Sequence, residues 1–239
     1  MKARALDTIR REIEGCRLCP RLVEWRERVA KEKVRRFQDQ DYWGRGVPSF
    51  GDPEARLLVL GLAPAAHGAN RTGRMFTGDS SGAWLYRALY RAGFASQSAS
   101  TARGDGLTLK DCYISAAVHC APPENKPLLE EIKNCRGYLV REVECLTRLR
   151  VIVALGRLAF DAAIAVIGGA KAGAGEARSR PKRPQFSHTA TSEIARGLTL
   201  IASYHPSQQN TFTGKLTEPM FDDVFSAARS LLNRQGTPG

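Results

Sequence analysis

Four short, mostly apolar runs punctuate the chain: Leu57–Leu62, Cys112–Val118, Val151–Leu155 and Leu198–Ser203. The continuous run Leu57–Leu62 predicts a strand buried on both faces, as in a parallel sheet, and the other three read as further strands. Between and after them, apolar positions recur at helical spacing. Asp79-Ser80-Ser81-Gly82 opens one such segment, Ala83–Phe94, with good helix-capping residues. Asn125-Lys126-Pro127 opens a second that runs to about Leu146, and Arg157–Ile167 and Glu218–Leu232 give two more. Strand followed by helix, four times over, predicts a three-layer α/β/α fold around a central four-stranded, mainly parallel sheet.

The remaining segments are less regular. Residues 1 to about 35 read as charged helix, interrupted at Cys16-Arg17-Leu18-Cys19-Pro20, with Pro20 in the first turn of a following helix, Leu22–Ala30. Tyr42–Pro53, Ala63–Gly78 and Gln97–Gly106 read as loops. Residues 168 to 196 are rich in Gly, Ala and Arg, with Pro181 and Pro184, and predict a mobile basic insertion. There is no internal repeat, and residues 1–239 are read as a single domain.

In open α/β sheets, ligands bind beyond the carboxyl ends of the strands. The first strand leads into Gly61-Leu62-Ala63-Pro64 and the loop ending in Phe76-Thr77-Gly78-Asp79; the second leads into Cys120–Asn125, and the fourth into His205-Pro206-Ser207. An aromatic ring, a carboxylate, an amide and an imidazole are thereby expected at one edge. A ring stacks on a nucleobase. An amide offers donor and acceptor together to a base edge. A carboxylate orients water, and an imidazole meets negative charge on a leaving group. Each residue also has a plain structural role open to it: Asp79 and Asn125 as helix caps, His205 as a buried histidine, Phe76 as core.

Charge narrows the partner. Lys and Arg number 36 against 24 Asp and Glu, a formal net charge of +12, which favours a polyanion such as nucleic acid over a solvated basic surface. The N-terminal residues lack the apolar core of a secretory signal, and no stretch reaches the roughly 20 apolar residues of a membrane span. A cytoplasmic protein without a membrane partner is expected. In a reducing compartment, six cysteines point to metal ligation more than to disulfides. Cys16 and Cys19 have ligand spacing, and Cys120 and Cys135 supply two more thiols; His119 is a further ligand candidate. Cys112 and Cys145 read as core residues. Spacing alone leaves zinc and an iron–sulfur cluster open. The first strand is not followed by G-x-G-x-x-G, which argues against a dinucleotide cofactor.

Two long motifs carry a family resemblance. Gly61-Leu-Ala-Pro-Ala-Ala-His-Gly-Ala-Asn-Arg-Thr-Gly-Arg-Met-Phe-Thr-Gly-Asp79 and Tyr204-His-Pro-Ser-Gln-Gln-Asn-Thr-Phe-Thr-Gly-Lys-Leu-Thr217 resemble the two motifs of family 5, or type B, uracil-DNA glycosylases, and Cys120-Ala-Pro-Pro-Glu-Asn-Lys-Pro127 resembles the segment between them. The resemblance runs from Cys16 to the last helix. It implies a uracil-glycosylase α/β fold, a [4Fe–4S] cluster on Cys16, Cys19, Cys120 and Cys135, and a substrate range beyond uracil that extends to hypoxanthine. It implies catalytic roles for Asp79, His205 and Asn125, and a base pocket of Ala63, Phe76, Asn125 and His205. Position 63 is Ala where many other uracil glycosylases carry an acidic or amide side chain, so the carboxylate role falls to Asp79. The role of Ser80 stays open. Ser207, Gln208, Gln209 and Asn210 are expected to enter the DNA minor groove and fill the space left by an expelled nucleotide. The implied protein is a monomeric, nucleoid-associated prokaryotic repair enzyme acting on double-stranded DNA. Competing readings are a non-catalytic nucleic-acid-binding protein with a structural metal site, and an iron–sulfur redox enzyme.

Overall fold

Burial explains the apolar runs. In the computed structural model, which describes residues 2–170 and 184–234, every residue of β2 (Leu57–Gly61), β3 (Cys112–Ala116) and β4 (Val151–Leu155) is buried. β6 (Leu198–Ser203) is buried over its last four residues. These four strands lie side by side and parallel, with Val59 opposite both Ile114 and Val153, and Val153 opposite Ile201. Successive side chains point to opposite faces. Leu57 and Val59 therefore pack toward α4 (Ser80–Arg91) and α8 (Glu218–Arg234). Leu58 and Leu60 pack toward α1 (Lys2–Gly15), α5 (Leu129–Cys145) and α6 (Arg157–Ala170). Each leucine, valine or isoleucine buried this way contributes roughly 1.5–3 kcal/mol relative to exposure. Three layers result, as expected.

The sheet is wider than four strands. Its order is β1-β3-β2-β4-β6-β5, with β1 (Phe50–Gly51) and β5 (Thr191–Ala195) added antiparallel at the two edges. Both edge strands fall in segments read from sequence as loop or insertion. β5 is half-exposed and carries no apolar run, and β1 is two residues long, so neither leaves a hydrophobic signature. Residues 171–183 of the expected basic insertion lie outside the described residues.

One helix boundary also differs. Asn125 does not open α5: Pro123–Asn125 form a single 3₁₀ turn, and the helix starts at Leu129. Pro127 disfavours helical backbone at the residue before it, and Lys126 is extended (φ −118°, ψ 93°). Glu131 instead closes the first turn of α5, its Oε2 accepting from the Leu128 N–H at 2.7 Å. α2 (Pro20–Glu32) begins directly after Cys19 with Pro20 in its first turn. Two short helices were not foreseen, α3 (Ala69–Thr72) and α7 (Gln208–Phe212). No helix among the described residues is long and apolar enough to cross a membrane.

Candidate active site and cysteine site

The carboxyl ends of β2 and β6 and the turn before α5 open onto one cavity of about 1120 Å³. Ala63, Phe76, Asp79, Asn125 and His205 all line it. Backbone shape holds them there. Phe76 has φ +53° and Asn125 φ +58°, left-handed values that turn each side chain out of the path of its loop. The Phe76 ring lies across the end of β2, where a Cβ on Gly61 would sit 2.7 Å from its Cζ; only glycine admits the ring. A Cβ on Gly68 would sit 2.2 Å from Asp79 Oδ2, so the peptide at 68 closes over the carboxylate.

Asp79 does two things at once. It caps α4, Oδ1 accepting from the Gly82 N–H at 2.8 Å, and it faces the cavity. Burial raises its carboxyl above the ordinary value, while the Gly82 and Ser81 N–H groups and the Arg71 guanidinium pull it back. His205 lines the same cavity, its ring centroid 6.4 Å from that of Phe76 at 32°. Burial lowers His205 to about 4, so its imidazole is neutral at neutral pH. It enters the cavity as a neutral hydrogen-bonding group.

The loop after His205 is ordered into α7. Ser207 caps it, its Oγ accepting from the Asn210 N–H at 3.4 Å. Gln208 and Gln209 are exposed on the cavity rim, and Ser207 lines it. Asn210 differs from its neighbours: its Nδ2 donates to the His205 carbonyl at 2.8 Å, so its amide fixes the loop. Ser80, the first residue of α4, is exposed and also lines the cavity.

Several site residues escaped the sequence reading. His67 lines the cavity and shares a 3.1 Å hydrogen bond with the Tyr42 hydroxyl through Nδ1. Arg71 donates to the His67 and Gly78 carbonyls at 2.8 and 3.0 Å and braces the loop from both sides. Residues 98–101 form another wall, anchored by Arg74, which reaches Asp105 and Ser100 at 2.6 Å each. Burial works to raise Asp105, yet Arg74 and the N–H groups of Thr101, Leu107 and Ala102 hold it well below the usual carboxylate range. Phe212, at the end of α7, is 81% exposed, the most exposed large apolar residue among those described. An exposed aromatic two positions after Asn210 is visible in the sequence; its exposure is not.

A second site lies behind this one. Cys16, Cys19, Cys120 and Cys135 line one small cavity with Leu22, Val23 and Asn134. All four are free thiols. Cys19, Cys120 and Cys135 form a buried cluster with Leu22 and Val118, against which Ala63 packs from the active-site side. Asn134 Nδ2 approaches Cys19 Sγ at 3.5 Å, and Arg26 Nη1 donates to Cys120 Sγ at 2.8 Å. Burial pushes the Cys120 thiol up to about 11 and Cys135 to about 12. Among the described residues, no three His, Cys, Asp or Glu side chains are set to hold a single metal ion. His119 stays out of this cavity: its Nδ1 donates to the Val47 carbonyl at 2.8 Å. Cys112 is fully buried in β3 as expected, whereas Cys145 is only partly buried. The donor set fits an iron–sulfur cluster: four thiols around one void, with a cation and an amide aimed at the sulfurs.

Comparison with known proteins places this geometry. Residues 48–229 match the Uracil DNA glycosylase superfamily. The chain is 50% identical to a Type-5 uracil-DNA glycosylase of Mycobacterium tuberculosis over 92% of its own length and 79% of that protein's. It is 50% identical to the Type-5 uracil-DNA glycosylase of Thermus thermophilus, covering 92% of this chain and 94% of that one. A Type-4 uracil-DNA glycosylase of Archaeoglobus fulgidus is 33% identical over 65% of this chain and 61% of its own.

Proposed function

The chain belongs to the uracil DNA glycosylase superfamily, among relatives of type 5, and we propose that it hydrolyses the N-glycosidic bond of uracil in DNA, leaving an abasic site for base excision repair. The observation that carries this reading is the meeting of Phe76, Asp79, Asn125 and His205 in one cavity. A base inside a duplex is out of reach, so the target nucleotide is flipped into the cavity. Its base stacks on Phe76, and the Asn125 amide reads its edge. As the C–N bond breaks, its electron pair goes to the base, whose oxygen gains negative charge. The neutral His205 imidazole donates a hydrogen bond to that charge. Asp79 holds a water against the anomeric carbon, offsets positive charge on the sugar, and takes the proton the water loses.

Ala63 supports a broad substrate range. Its methyl group makes no hydrogen bond, so the position that would reject an altered base by polar mismatch is silent. Hypoxanthine is therefore proposed as a second substrate. The partner is double-stranded DNA, bound by the basic surface without sequence preference, and the working unit is a monomer. Ser207, Gln208 and Gln209 at the rim enter the minor groove, with Asn210 holding their loop in shape. The exposed Phe212 ring stacks into the gap as a wedge.

Cys16, Cys19, Cys120 and Cys135 are proposed to hold a [4Fe–4S] cluster, whose core is wider than one ion and suits thiols spread around a void. It would supply cross-linking only, since hydrolysis requires no electron transfer. The chain between Cys120 and Cys135 carries Asn125, and Arg21 fastens the same stretch to α2, donating to Glu131 at 2.8 and 2.7 Å and to the Lys126 carbonyl at 3.2 Å. Single-turnover assays on duplexes with one uracil, hypoxanthine or thymine mismatch, cleaved by alkali at abasic sites, test the reading. Uracil release with measurable hypoxanthine release is expected. Binding to every duplex without free base would mark a non-catalytic DNA-binding protein instead.

A further inference from the structure

Arg26 is out of place by every local rule. It sits on the apolar face of α2, in line with Leu22 and Val29, and is 1% exposed. Arginine stays protonated in proteins, so a buried guanidinium needs an anion beside it. Among the described residues, no carboxylate forms an ion pair with Arg26. Its neighbour Glu27 pairs with Arg17 on the surface instead. The partners Arg26 does have are the Cys16 carbonyl, 2.8 Å from Nη2, and the Cys120 sulfur, 2.8 Å from Nη1; Nε has none. A neutral thiol and a carbonyl do not balance a buried cation. Four thiolates around an iron–sulfur core carry net negative charge, and they would lie at the end of this guanidinium.

Resting on the cluster reading above, we infer that Arg26 is the internal counter-charge of the cluster: it donates to the Cys120 sulfur and balances the thiolates, so that cation and cluster stabilise one another. Its own carbonyl also accepts from the buried Asn70 amide at 3.2 Å, which ties α2 to the loop carrying Phe76 and Asp79. The guanidinium thus holds α2 to the cysteine site, while the backbone of the same residue meets the wall of the active site.

A four-way comparison tests this: wild type and Arg26→Met, each loaded with cluster and stripped of it under anaerobic reducing conditions, with Arg26→Lys as the charge-keeping control. Loaded Arg26→Met should release iron to a chelator ~10–100-fold faster than wild type, the range for losing an outer-sphere partner. Its cluster should have a lower reduction potential, because the reduced, more negative state loses its cation. Stripped Arg26→Met should melt no lower than stripped wild type, since the unbalanced cation is gone. Arg26→Lys should restore the potential and part of the retention. Equal destabilisation of the loaded and stripped forms, failure of Arg26→Met to fold in both, or unchanged release and potential would overturn the inference and leave Arg26 a packing residue. Wild type purified anaerobically without iron and sulfide would instead remove the cluster reading itself.

Discussion

The active-site cavity and the cysteine site lie back to back across Ala63, yet they hold their groups by opposite means. In the cavity, backbone conformation does the positioning. Phe76 and Asn125 take left-handed φ, and Gly61 and Gly68 make room for a ring and a carboxylate. The cavity stays large and reachable, as a site must be that admits a flipped base. In the cysteine site, side chains do the positioning: the Arg26 guanidinium and the Asn134 amide meet sulfur atoms beside a small cavity. Strain in φ suits a site that must stay open, because nothing needs to fill it. A buried cation such as Arg26, 1% exposed, needs an anion beside it, because water does not reach it.

The largest effect is expected at Asp79, which caps a helix and is proposed to serve the chemistry as well. Asp79→Asn keeps the cap acceptor but removes the charge. Its single-turnover rate on uracil DNA should fall ~10²–10⁴-fold with duplex binding and melting temperature near wild type. Asp79→Ala should add a capping loss of ~1 kcal/mol in denaturant unfolding. His205→Ala comes next, with a fall of ~10²–10³-fold, as for a lost oxyanion donor; a wild-type rate would take His205 out of the chemistry. Gly61→Ala touches no reacting group. Its new methyl would push the Phe76 ring by an ångström or so, and a loss of ~10²-fold is expected in rate with cluster content unchanged. If Gly61→Ala also lost iron, the two sites would not be separately built.

Acid sharpens the same point with a smaller effect. In the proposed role Asp79 acts ionised, and its carboxyl is raised above the ordinary 3.8, so the rate should fall about tenfold per pH unit once pH drops below that raised value. His205 stays neutral down to about 4, so no break is expected near 6.5 in the single-turnover profile. An inflection there that disappears in His205→Ala would show that the imidazole titrates exposed and charged. His205 also ties stability to pH. Its folded value lies below the unfolded 6.5, so its contribution is complete above 6.5 and is lost as pH falls from 6.5 through about 4.

The parts legible in sequence were those with a repeating physical signature. The four central strands stand out as mostly apolar runs because helices cover both of their faces. The post-strand rule then gathered Phe76, Asp79, Asn125 and His205, and the structure brings them together. β1 and β5 stayed hidden because edge strands this short or this exposed need no apolar pattern. Asn125 was misplaced as the start of a helix because a cap and a left-handed loop amide use the same residue type. His67, Arg71 and Arg74 were missed because each acts through partners 4 to 31 residues away in the chain, which no local pattern reveals. Arg26 left a trace, a charge on the apolar face of an amphipathic helix, but only its contact with Cys120, 94 residues on, gives that trace a meaning.

Whether this one cavity cleaves the glycosidic bond is decided by single-turnover release of base from a labelled uracil duplex, by wild type and by Asp79→Asn side by side. Release by wild type and its near-abolition in Asp79→Asn at unchanged duplex affinity are expected. Equal release by the two proteins, or none by cluster-loaded wild type, would contradict that role for the cavity.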